Sequence, residues 1–252
     1  MPRRLTAGNP TFASEFAALL EGRREAEASV DEAAAAILKD VKARGDEALI
    51  DYTHRFDRVR LDPSTLKVSA GEIDDAWAAT PPDMLEALIL AARRIDSYHR
   101  KQFPQDLDYI DDQGVWLGAR WRALASAGLY VPGGTASYPS SVLMNAIPAQ
   151  VAGVKRLVMV VPAPDGTLNP LVLAAARLVG IEEIYRVGGA QAVAALAFGT
   201  ATIKPVDKIV GPGNAFVASA KRQLFGTVGI DMIAGPSEIL VVADRHNDPD
   251  WI

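Results

Sequence analysis

Apolar residues change their rhythm near residue 125 of the chain. Before it, they recur at helical spacing. In MLEALILAARRIDSYHRKQF, from Met84, they return every three or four positions, which predicts an amphipathic helix. Thr80-Pro81 ahead of it reads as an N-cap followed by a proline in the first turn. Ser29-Val30-Asp31-Glu32 has capping-box spacing before AAAAILKDVKARG, which predicts a helix from about Asp31 to Ala43 stopped by Gly45. A second helix is expected from Asp46 to His54, and segments 63–69 and 115–121 read as short strands.

From Ala125 onward, short apolar runs alternate with helical patterns. Strands are expected at 127–131, 156–162, 183–187, 207–210 and 238–243, with helices at 139–153, 168–179, 189–198 and 214–225. Strand alternating with helix predicts a parallel sheet covered by helices, an α/β fold. The run Leu157-Val158-Met159-Val160-Val161 is apolar at every position, as a strand covered on both faces requires. At the far end, Asp248 is an N-cap and Pro249 suits a first helical turn, so a further helix is expected to begin there. The strand before it would need such a helix to cover one face, so the natural chain is expected to continue past Ile252.

Composition narrows the functional classes. The chain has 252 residues, 49% hydrophobic and 23% charged, with a net charge of −5. That balance is globular, and the absence of a basic block argues against nucleic-acid binding. No apolar run approaches the roughly 20 residues that span a bilayer. The basic N-terminus has no apolar signal core, so a cytoplasmic location is expected. There are no cysteines, which excludes disulfides, thiolate metal sites and a cysteine nucleophile within this chain.

Candidate chemistry lies at the strand-to-helix junctions. Ligands of open parallel sheets bind beyond the carboxyl ends of the strands. Gly133-Gly134, Gly188-Gly189 and Gly211-Pro212-Gly213 all fall there. They suit either a nucleotide-sized crevice or simple tight turns. The dinucleotide fingerprint G-x-G-x-x-G is absent, because Phe216 stands where its third glycine would fall. Tyr130 ends a strand, Gln191 lies in the first turn of a helix, and Asn214 follows Gly213. Each can hydrogen-bond a ribose or pyrophosphate, while Asn214 can equally be a helix cap. Ser237 and Glu238 open the strand 238–243, where Ser237 faces a crevice or merely bonds a local turn. His54 and His99 sit on charged helical faces, and His246 lies in a loop without metal-ligand spacing.

Four segments carry a resemblance. LYVPGGTASYPSS from Leu129, VGGAQAVAALAFGT from Val187, VDKIVGPGNAFV from Val206 and DMIAGPSEILVVAD from Asp231, in this order, resemble histidinol dehydrogenase. The similarity runs from about Glu27 to the end, with Ile233 departing from the family's usual proline. The resemblance implies two related, incomplete Rossmann-like parallel-sheet domains of aldehyde-dehydrogenase type. Residues 1–126 would open the first domain, 127–236 would form the inserted NAD-side domain, and 237–252 would return to the first. It further implies NAD- and zinc-dependent oxidation of L-histidinol through L-histidinaldehyde to L-histidine, the last steps of histidine biosynthesis, in a homodimer.

By the same resemblance, Tyr130, Gln191 and Asn214 match NAD contacts, and Ser237 matches a substrate contact. The zinc ligands and a glutamate–histidine acid–base pair are expected beyond Ile252. No catalytic or metal-ligating residue is therefore expected in this chain, nor histidinol turnover by it alone. Two alternatives stand beside this reading. One is a related polar-alcohol dehydrogenase of the sulfopropanediol type, and the other is a non-catalytic dinucleotide-binding module.

Overall fold

The computed structural model describes residues 5–133, 138–233 and 241–251. Helix α1 runs from Phe12 to Arg44, well ahead of the expected start at Asp31. The preceding residues are mostly Ala, Leu, Glu and Arg, good helix formers that give no reason to stop, so the helix passes through the capping-box spacing at Ser29. Asp31 serves tertiary packing instead: it accepts from Ser219 Oγ at 2.6 Å and pairs with Arg222. Gly45 ends α1 at φ +57°, as expected, and α2 (Asp46–Asp57) follows, three residues longer than predicted.

Helix α3 (Ala70–Ala79) was not anticipated, although Ser69 and Glu72 form a complete capping box at its start. Thr80 closes this helix instead of opening the next, its Oγ1 donating to Ala76 O at 2.7 Å. Pro82, the second of two prolines, is the first residue of α4 (Pro82–Arg100). The expected strand 63–69 reduces to two main-chain bonds beside the sheet, Val68 N–H to Ile184 O and Arg186 N–H to Leu66 O. The expected strand 115–121 is present as β2 (Trp116–Ala119), in an antiparallel hairpin with β1 (Leu107–Ile110), and both strands are exposed throughout.

The alternating half follows closely: β3 (Ser126–Tyr130), α5 (Pro139–Val151), β4 (Arg156–Val160), α6 (Pro170–Leu178), β5 (Glu183–Tyr185), α7 (Gly189–Phe198), β6 (Lys208–Val210), α8 (Ala215–Leu224) and β7 (Gly229–Ile230). The strands form one parallel sheet in the order β5-β4-β3-β6-β7. The short β7 was not foreseen. Of the expected strand 238–243, residues 238–240 lie outside the described residues, and 241–243 are exposed and not in a strand. Asp248 caps a 3₁₀ turn at Pro249–Trp251, accepting from Asp250 N–H at 3.0 Å.

Alternation along each strand divides the core between the two sheet faces. Tyr130, Val158 and Val160 pack with α1, α2, α7 and α8. Leu129, Met159, Val161 and Ile184 pack with α3, α4, α5 and α6. Each fully buried aliphatic side chain contributes roughly 1.5–3 kcal/mol, so the fully apolar β4 run is held from both sides. The N-terminal helices thus complete both outer layers of the sheet.

Candidate functional site

Strands β3 and β6 are neighbours, yet the chain leaves them toward opposite faces. After β3 it enters α5, whose Val142 and Ala146 pack on one face; after β6 it enters α8, whose Val217 and Ala220 pack on the other. Where consecutive connections part in this way, a crevice opens at the carboxyl ends of the strands. A cavity of about 1090 Å3 lies there. It is lined by Tyr130, Pro132 and Gly133 after β3, Pro162 and Pro164 after β4, Gly188 to Gln191 after β5, and Pro212 to Asn214 after β6.

Three of the expected site residues meet in this cleft. Tyr130 is the last residue of β3 and is 3% exposed. Its hydroxyl accepts from Gly189 N–H at 2.9 Å, tying the end of β3 to the start of α7. Burial pushes its phenol up to about 12, so it carries its proton at neutral pH and can donate it in a hydrogen bond. Gln191 is in the first turn of α7, 1% exposed, and its Oε1 has no hydrogen-bond partner. A buried acceptor left unpaired costs about 1–3 kcal/mol. Asn214 caps α8, with Oδ1 accepting from Val217 N–H at 3.1 Å, and also lines the cleft. Ser237 and Gly134 lie outside the described residues.

The turn after β6 is pressed against β3. Gly211 adopts φ +111°, and a Cβ there would lie 2.1 Å from Tyr130 O. Only glycine fits both the backbone angle and the space.

The opposite wall comes from helices that no sequence motif marks as part of a site. Tyr52, Arg55, Phe56 and Asp57 of α2 line the cleft, with Ala33, Ala36 and Ile37 of α1. Asp57 is 8% exposed and accepts from Ala163 N–H at 3.2 Å, which ties α2 to the loop after β4. Burial raises its carboxyl above the ordinary range, opposed by that backbone bond. No local pattern marks these residues, because the fold alone brings a helix from the first sixty residues over the strand ends.

The histidines stay outside the cleft. His54 is exposed on α2, His99 half-buried on α4 and His246 exposed in its loop. Among the described residues no group of three or more His, Cys, Asp or Glu could hold a metal ion. These residues do not fit a catalytic zinc site. No helix among them is long and apolar enough to cross a membrane.

Residues 20–252 match the family profile described as histidinol dehydrogenase. The chain belongs to the histidinol dehydrogenase family. It is 65% identical to histidinol dehydrogenase of Rhodospirillum rubrum over 252 residues, all of this chain and 58% of that protein. Against the Brucella abortus enzyme it is 63% identical over 244 residues, 97% of this chain and 57% of that protein. The chain thus spans little more than half the length of these relatives. A crystal structure of histidinol dehydrogenase from Elizabethkingia anophelis superposes with a TM-score of 0.81 at 40% identity, covering 87% of this chain and 51% of that one. The parallel sheet with its two helical layers is therefore a histidinol dehydrogenase architecture, Rossmann-like in kind, and the family is one of oxidoreductases.

Proposed function

We propose that this chain supplies the dinucleotide-binding part of a zinc-dependent enzyme that oxidises L-histidinol with NAD, through L-histidinaldehyde, to L-histidine. One observation carries the reading: the buried, unpartnered Oε1 of Gln191 on the wall of a cleft at the switch point of a parallel sheet. An acceptor held there without a partner is suited to a ligand that brings an N–H or O–H, as ribose hydroxyls and the nicotinamide carboxamide do. NAD, when bound, supplies the hydride acceptor.

The chain's own residues bind and orient. Gln191 accepts a hydrogen bond from the dinucleotide. Tyr130, its oxygen already engaged by Gly189 N–H, donates its phenolic proton. Asn214, with Oδ1 given to the cap, offers its amide N–H groups. Pro132, Pro162 and Pro212 provide apolar walls that exclude water. Tyr130 acts as a hydrogen-bond donor and not as a base, since its proton is firmly held.

The remaining expectations join this proposal. Ser237 contacts the alcohol substrate. The zinc ligands and acid–base pair lie on the part of the relatives' length that this chain does not span. Residues 127–236 form the NAD-side domain, flanked by the parts of domain one at 1–126 and 237–252. The complete enzyme is a cytoplasmic homodimer. The close relatives' common name favours histidinol over a sulfonated diol, and over a non-catalytic module.

The test is NADH formation from L-histidinol with added zinc, by the complete protein beside the 252-residue chain. Turnover by the complete protein alone is expected. Turnover by the short chain would place the catalytic groups within it. Preference of the complete protein for a sulfonated propanediol would replace the substrate.

A further inference from the structure

Ten residues apart, Lys221 and Asp231 converge on one glycine. Lys221 lies on α8 and is 3% exposed. Its Nζ donates to Gly211 O at 2.9 Å and pairs with Asp231 Oδ1. Asp231 Oδ2 accepts from Gly211 N–H at 2.8 Å, and Oδ1 also accepts from Met232 N–H at 2.7 Å. Both peptide groups flanking the Gly211 Cα are thereby held by side chains of opposite charge.

The arrangement begins where the sheet runs out. Strand β7 pairs with β6 at Lys208–Gly229 and Ile209–Ile230, and Asp231 N–H still reaches Ile209 O at 3.2 Å. One step further the main-chain ladder stops, and the Asp231 carboxylate takes the Gly211 N–H in its place. Packing alone would be served by an apolar side chain at 221, since a buried ammonium must be paired to offset its desolvation. Here its hydrogen bonds go to the turn that carries Pro212, Gly213 and Asn214 into the cleft. Gly211 is also the residue whose φ of +111° leaves no room for a Cβ against Tyr130.

We propose that Lys221 and Asp231 are positioning residues for the dinucleotide, fixing the Gly211–Asn214 turn against the end of β3. The inference rests on the NAD reading of the cleft. Neither side chain touches the ligand in this account; they act through the turn.

The experiment is calorimetric titration of the complete protein with NAD, for the parent, Lys221→Met and the double variant Lys221→Met/Asp231→Asn, with thermal midpoints alongside. A structural role lowers the number of competent sites and leaves the dissociation constant unchanged. A positioning role raises the dissociation constant, by about tenfold for loss of a charge-assisted bond to the turn. The double variant has no unpaired charge and keeps an acceptor for Gly211 N–H. It is expected to recover the midpoint lost by Lys221→Met while its NAD affinity stays weak. Parent-like affinity in both variants, affinity and midpoint recovering together, or failure of both variants to fold would overturn the positioning role. A parent that binds no NAD would overturn the cleft reading itself, and this inference with it.

Discussion

On the sheet side of the cleft, Tyr130, Gln191 and Asn214 stand at the junctions after β3, β5 and β6; on the helix side, Tyr52, Arg55, Phe56 and Asp57 come from the last two turns of α2. The first group is placed by the parallel ladder itself: Tyr130 accepts from the Gly189 main chain of a neighbouring junction, and Asn214 from Val217 N–H of the helix it caps. The second is docked by side chains: Asp57 on Ala163 N–H and the exposed Arg58–Asp165 pair. Error on the sheet side therefore propagates into the fold, while the helix side tolerates substitution. Recognition is expected to concentrate where the backbone is most constrained.

The largest effect should come from Gly211→Val. The new Cβ would meet Tyr130 O at 2.1 Å, on a backbone angle that β-branched residues avoid. Strain and overpacking together should cost about 4 kcal/mol, measured by urea denaturation. The matching change on the helix side, Arg55→Ala at an exposed position, should stay within about 0.5 kcal/mol. Equal costs for the two would erase the distinction between the sides.

Gln191→Leu comes next and should move two quantities in opposite directions. It removes an unpaired buried acceptor, which should raise stability of the free protein by about 1 kcal/mol. NAD affinity should fall about tenfold. Tyr130→Phe is a smaller step on the same side. It strips Gly189 N–H of its acceptor and should lower the unfolding free energy by about 1 kcal/mol, measured by urea denaturation.

Asp57→Asn should be the mildest, and its sign depends on pH. The native carboxyl has its pKa raised by burial, so over the window between its unfolded and native values the folded state holds more protons. Its contribution to stability is neutral below the ordinary carboxylate range, declines as pH rises through the raised native value, and stays unfavourable above it. The asparagine keeps an acceptor for Ala163 N–H and has no charge to bury. Thermal midpoints should thus converge in acid and favour the variant at neutral pH. A parent that gains on the variant as pH rises would reverse this account of Asp57.

The same division governed how much could be read from the chain. Strands β3 to β6 and helices α5 to α8 fall within a few residues of expectation, because each apolar run is bounded by glycine, proline or a capping residue such as Asn169 or Asn214. Tyr130, Gln191 and Asn214 were visible as polar residues interrupting those boundaries. Their shared cleft depends on β6 returning beside β3, which no local spacing encodes. In the N-terminal half, local signals competed. The capping-box spacing at Ser29 was overridden by a run of helix formers, while the box at Ser69 and Glu72 was the one realised. The hairpin strand β1 is only four residues long, set between Asp106 and Asp111, too short a run to announce itself. The α2 wall and the Lys221–Asp231 pair are tertiary facts, and nothing in either segment points to its partner.

The central claim is that the cleft between β3 and β6 is the NAD site and that Gln191 reads the ligand. Titration of the parent protein and Gln191→Leu with NAD tests it most directly. The account predicts one NAD bound per chain by the parent and about tenfold weaker binding by the variant, with the variant no less stable. Equal affinity in the two, or a parent that does not bind NAD, would contradict it.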